Sequence, residues 1–126
     1  MSGPFIVISK SRVKPGMEAD HAAYSEQLFA EIEENEPRLL AFNHYETGEG
    51  SSVVIQVHPD AESFEYHLKL FGEKVAKAIE YLEVDGLEIY GTPTPALQEM
   101  WTHGMADMSV TVHPRHTLGF TRLEGA

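Results

Sequence analysis

The 126-residue chain has no cysteine, which excludes disulfides, thiolate nucleophiles and cysteine-based zinc sites. It also lacks any apolar run near the roughly 20 residues that cross a membrane as a helix. Basic residues are scarce: 9 Lys and Arg face 20 Asp and Glu, a formal charge of -11. Phosphate neutralisation needs clustered Lys and Arg. The one local basic group, Lys69, Lys74 and Lys77, is interleaved with Glu65, Glu73 and Glu80, a pattern of paired charges on a solvated helix face. Nucleic acid and membrane are therefore not expected partners. The opening "MSGPFIVISKSRV" has neither a basic n-region nor a small-residue cleavage site, so a cytoplasmic address is expected. There is no P-loop, dinucleotide fingerprint, H-E-x-x-H or Ser-His-Asp motif, so nothing points to nucleotide hydrolysis, Rossmann cofactors, zinc proteolysis or triad chemistry.

What remains is a globular pattern with clear punctuation. "PFIVISKSRV" reads as a strand near 4–13, and Pro15 and Gly16 break it. Met17, His21, Tyr24, Leu28 and Ile32 then recur at helical spacing, with Glu26, Glu33 and Glu34 on the wet side and Pro37 as the stop. Two strand-like runs, near 39–47 and 52–58, flank "TGEGSS", whose glycines suit a hairpin loop. Asp60 is a fitting N-cap for a second helix with the stripe Phe64, Leu68, Phe71, Val75, Ile79 and Leu82, which Gly72 is expected to kink or split. "EVDGLEIYGTP" supplies a last strand near 84–91.

The order β-α-β-β-α-β is the ferredoxin-like α+β arrangement: a four-stranded antiparallel sheet with helices on one face. This predicts one domain over 1–92 and a C-terminal extension over 93–126. The extension holds a short helical pattern at Ala96–Trp101 and a strand candidate at Ser109–Val112, and it is too apolar for a disordered tail. It is expected to pack on the domain or across a dimer. The helix-free sheet face would carry Ile6, Ile8, Leu40, Phe42, Val54 and Leu87, or their neighbours. An exposed apolar face of that size calls for a cover, and a second copy of the sheet is the simplest one, so a homodimer is expected.

The element order, the stretch "NHYETGEGSSVVIQVHPDAESFEYHLKLFGE" and the closing "LEIYGTPT" resemble the antibiotic biosynthesis monooxygenase family. Tyr45-Glu46 at the end of the second strand and His67 in the middle of the second helix match features often seen there. The resemblance implies a dimeric α+β barrel with a pocket between sheet and helices. In several members that pocket oxidises aromatic or polyketide-like molecules without metal or flavin; in others it degrades haem. The sequence departs from the family on the third strand, where Gln56 and Val57 replace an acid followed by an aromatic.

Periodicity sets His67 at the edge of the buried stripe, between Phe64 and Phe71. Two readings stay open: a base or hydrogen-bond donor toward a substrate, or a boundary histidine satisfied by a neighbouring backbone group or carboxylate. Asn43 shares a strand face with Ala41 and Tyr45. If that face meets the helices, Asn43 joins His67 as a catalytic candidate and Tyr45 binds substrate; otherwise both are structural. His44 then falls on the dimer face. His21, Tyr24, Phe64, Phe71 and Trp101 complete the candidate substrate wall. His103, His113 and His116 lack zinc-ligand spacing, Pro114 disrupting the last pair, so no metal and no cofactor is expected. The leading expectation is cofactor-independent monooxygenation of a small hydrophobic ligand. The alternatives are a non-catalytic binding or scaffold dimer and, third, haem binding or degradation.

Overall fold

The computed structural model describes residues 3–104 and 109–122. Strand β1 (Phe5–Val13), helix α1 (Glu18–Asn35), strands β2 (Ala41–Gly48) and β3 (Ser51–His58), helix α2 (Ala61–Ile79) and strand β4 (Leu82–Tyr90) follow in the expected order. After them come a short helix α3 (Pro95–Glu99), a π-type turn (Met100–Gly104) and strand β5 (Val110–His113). The fold is α+β and ferredoxin-like, but the sheet has five strands rather than four, in the order β2-β3-β1-β4-β5. The β1–β3, β1–β4 and β2–β3 pairs are antiparallel, whereas β5 runs parallel to β4.

The fifth strand comes from the extension, which packs back on its own domain. Leu87 N–H donates to Ser109 O at 2.8 Å and Gly91 N–H to His113 O at 2.9 Å. Gly86 makes the approach possible, since a Cβ there would lie 2.9 Å from the Ser109 carbonyl oxygen. Helix α3, capped by Thr94 and opened by Pro95, buries Leu97 against Phe5, Val7, Phe64 and Ile89.

Helix α2 begins where Asp60 accepts a hydrogen bond from Ser63 N–H at 2.9 Å. It then runs unbroken through Gly72, contrary to the expected kink or split. A lone helix glycine costs about 1 kcal/mol relative to alanine but interrupts no hydrogen bond. Packed residues on both sides, Phe71 and Val75, carry the helix across it.

The strand registers decide which residues meet the helices. Val7 stands opposite Gln56 and Ile89, and Gln56 opposite Phe42; Ser9 stands opposite Val54 and Leu87. These residues line the helix side of the sheet, together with His44 and Ser52. The expectation for the bare face therefore holds for Ile6 and Ile8 but is corrected for Phe42, Val54 and Leu87, which face inward. Side chains alternate strictly along a strand, so a one-residue error in register exchanges the faces. A β-bulge where Ser11 pairs with Val84 and Lys10 with Gly86 shifts β4 in the same way. The outer face carries Ile6, Ile8, Val53, Ile55 and Val57 with Asn43 and Tyr45, and Leu40 lies just before β2, exposed. No helix among the described residues is long and apolar enough to cross a membrane.

Candidate active site

The site begins at a proline. Pro37 disfavours helical geometry for the residue before it, so α1 stops at Asn35 and Glu36 adopts φ -120 and ψ 85 while its N–H still reaches Ile32 O. The turn carries the Glu36 side chain inward, where the residue is only 4% exposed. The C-terminal end of a helix is a poor place for a negative charge, and a buried carboxylate needs a partner. His67 supplies it: Nδ1 lies 2.6 Å from Glu36 Oε2, and both side chains are 2% exposed. Outside this pair, Arg38 grips both carboxylate oxygens of Asp60 at 2.6 Å, tying the turn after α1 to the N-terminus of α2.

With the His67 Nδ1–H donating to the carboxylate, the free lone pair of the neutral ring sits on Nε2. Among the described residues no fully buried side-chain nitrogen or oxygen lacks a hydrogen-bond partner. Nε2 has no protein partner, so it is not sealed in; it opens on the cavity that His67 lines. Aromatic rings hold the imidazole in place: Phe64 stacks at 6.1 Å, with Phe42 at 5.6 Å and Phe71 at 6.2 Å.

A second buried histidine stands beside the first, with ring centroids 6.1 Å apart. His58 Nε2–H donates to Gln56 Oε1 at 3.0 Å, and its Nδ1 accepts from the Ser63 hydroxyl at 2.7 Å. Burial above all, then the adjacent His67, pushes the His58 pKa down to about 3. His58 is therefore neutral at physiological pH, with both nitrogens engaged in the fold.

The cavity lies between the sheet and both helices and has a volume of about 280 Å³. Near His67 its walls are Val7, Phe42, Phe64, Leu68 and Met100; farther along come Val54, Gly72, Val75 and Ile79. Ser9 and His44 stand level with Val54 in the sheet, and Ser11 and Ser52 one row beyond, with Ser25 and His21 of α1 also on the lining. Burial first, and then His44, lowers the His21 pKa, and His21 Nε2 lies 3.2 Å from Ser25 Oγ. His44 is exposed.

Of the residues singled out from the sequence, His67, Phe64 and His21 line this cavity. Phe71 and Tyr24 are packed behind its wall, in the cluster around Leu28 and Ile32, where the Tyr24 hydroxyl bridges to Lys74 O at 3.1 Å. Trp101 packs against the core near Leu97, leaving Met100 as the tail residue at the cavity. Asn43 and Tyr45 are corrected: the β2 register turns both away from the cavity, and the intervening His44, expected on the dimer face, points into it. Asn43 borders a separate groove of about 560 Å³ between the end of α1 and β2. His113 stacks on Tyr90 at 5.0 Å, and among the described residues no three potential ligands converge on a metal position.

Glu36, His58, Gln56 and the serines were missed. The available signal was "ENEP", an acid directly before a helix-ending proline, but nothing in the sequence aims it at a histidine 31 positions away.

The chain has the fold of the antibiotic biosynthesis monooxygenase structures. No family model and no curated protein matches the sequence, so the likeness is one of structure. MupZ from Pseudomonas fluorescens superimposes with a TM-score of 0.74 at 16% identity over 96% of each chain, a span that includes the extension. SnoaB, a cofactor-independent oxygenase from Streptomyces nogalater, gives 0.56 at 17% identity, covering 67% of this chain and 89% of its own. A candidate antibiotic biosynthesis monooxygenase from Caulobacter crescentus gives 0.58 at 21%, covering 70% and 86%.

Proposed function

We propose that the protein is a cofactor-independent monooxygenase acting on a small aromatic or polyketide-like molecule held in the cavity. The observation that carries this reading is the buried Glu36–His67 pair, with His67 Nε2 at an apolar cavity. The likeness in fold to a cofactor-independent oxygenase supports it by analogy.

Glu36 keeps the proton on Nδ1 and so leaves Nε2 as the base. The substrate class this suits has a CH2 made acidic by a flanking carbonyl and aromatic rings. Nε2 takes one C–H proton, and the carbanion passes an electron to dioxygen. The radical pair combines to a carbon-bound peroxide, which the imidazolium protonates. Loss of the second C–H proton to Nε2 expels hydroxide as the carbonyl forms, and the imidazolium returns that proton to release water. The balance is CH2 plus O2 giving C=O plus H2O, and the histidine ends neutral. The aromatic wall excludes water that would otherwise solvate the carbanion.

The test is oxygen uptake and quinone absorbance with an anthrone, corrected for spontaneous oxidation. His67→Gln is expected to lower kcat by a factor of about 10²–10⁴, the usual contribution of a positioned base. Unchanged turnover in that variant would remove His67 from the mechanism. Binding without turnover in the unaltered protein would leave a ligand-binding dimer. A Soret band in the purified protein would instead favour haem.

A further inference from the structure

We infer that the serine-lined end of the cavity is a recognition subsite for phenolic or carbonyl oxygens on the side of the ligand remote from the reacting carbon. The inference rests on the reading of His67 as the base, and it names the substrate class for that same site.

Serine is an uncommon choice for the covered face of a strand, where β-branched and aromatic residues pack best. Here three occur together. Ser11 and Ser52 stand opposite each other on β1 and β3, and Ser9 lies two residues along β1 on the same face. Ser11 is 8% exposed and Ser52 7%, yet neither hydroxyl makes a hydrogen bond to the protein among the described residues. Since no fully buried side-chain oxygen there lacks a partner, both hydroxyls face the cavity that they line. Each hydroxyl is thus open at the cavity surface to a hydrogen bond with a ligand oxygen.

The spacing suits one ring system. Ser52 lies four residues from Gln56 along β3, about 13 Å at the usual rise per residue, and Gln56 sits beside the His58 and Phe42 rings that flank His67. Contacts of about 3 Å at each end leave room for a fused polycycle whose acidic CH2 meets His67 while oxygens on the opposite edge meet the serines. Between the two ends Val54, Gly72 and Val75 supply apolar wall for the rings, with Ser9 and His44 beside Val54 in the sheet.

The experiment compares anthrone with 1,8-dihydroxyanthrone, whose hydroxyls lie on the edge remote from the reactive CH2. Dissociation constants are measured anaerobically by calorimetry for the unaltered protein and for Ser11→Ala, Ser52→Ala and the double variant. The unaltered protein should bind the dihydroxy compound at least tenfold more tightly. Each substitution should erode that preference about 3- to 10-fold, the value of one neutral hydrogen bond, with anthrone, which presents only its ketone oxygen on that edge, losing less than the dihydroxy compound. The melting temperature should not fall, because neither hydroxyl has a protein partner to lose. Equal affinities in the unaltered protein, or a preference that survives the double variant, would overturn the subsite. Loss of the preference together with undiminished turnover by His67→Gln would keep the subsite and reject the base. Failure of both compounds to bind would count against both.

Discussion

Replacing His67 by phenylalanine keeps an aromatic ring among Phe42, Phe64 and Phe71 but removes the N–H that Glu36 accepts. The carboxylate, 2% exposed at the C-terminal end of α1, is then buried without its hydrogen-bond donor. Removing one member of a buried pair costs about 3–5 kcal/mol, whereas replacing both by apolar groups of similar size is often neutral or stabilising. His67→Phe alone should therefore lose about 3–5 kcal/mol, and Glu36→Leu with His67→Phe should recover most of it. A domain of this size holds roughly 5–15 kcal/mol, so the single variant remains folded enough to measure. Urea titration at neutral pH reads the difference: with a slope of about 2 kcal/mol per molar, the midpoint of His67→Phe should fall by about 2 M. The double-mutant cycle isolates the coupling. If His67→Phe loses less than about 1 kcal/mol, or if the two substitutions simply add, the carboxylate is not the buried charged partner described here. The orienting role given to Glu36 then falls with it.

Three further outcomes test other parts of the structure. His58 is held neutral in the fold with a pKa of about 3 but titrates near 6.5 when unfolded. The unfolded state therefore binds the extra proton first, and stability falls as pH drops below about 6.5, by up to about 1.4 kcal/mol per pH unit until the folded pKa is reached; urea midpoints from pH 7 to 4 should show this slope, and His58→Gln should flatten it. A Cβ on Gly72 meets nothing within 4 Å, so Gly72→Ala should stabilise the protein by about 0.5–1 kcal/mol, while Gly72→Phe should fill the cavity and abolish anthrone binding, as calorimetry would show. Asp60→Ala removes the α2 cap and the Arg38 pair together and should cost about 1–2 kcal/mol, with the loss read from thermal melts.

The element order was legible because each element carries its own local signal. Pro15 and Gly16 end β1, and the 3.6-residue stripes mark both helices. The glycines of "TGEGSS" mark the hairpin. Asp60 caps α2 as its position announced. The core role of Phe64 and the inward place of His21 follow from the same stripes, which set His67 only at their edge, whereas the fold buries it fully. Gly72 misled because a helix propensity is small beside the packing of Phe71 and Val75 on either side.

Register, by contrast, is not a local property. Which of Asn43 and His44 enters the cavity is set by how β2 pairs with β3, and the inward turn of Leu87 by the bulge opposite Ser11. The pairing of Glu36 with His67 joins the end of one helix to the middle of another, and the two serines meet only because β1 and β3 are neighbours. By itself the sequence determined the kinds and order of the elements, since backbone sterics, capping and apolar periodicity act within a few residues. Only the tertiary structure decided what lies opposite what, because hydrogen-bond register and charge pairing depend on distances that the chain must close before they exist.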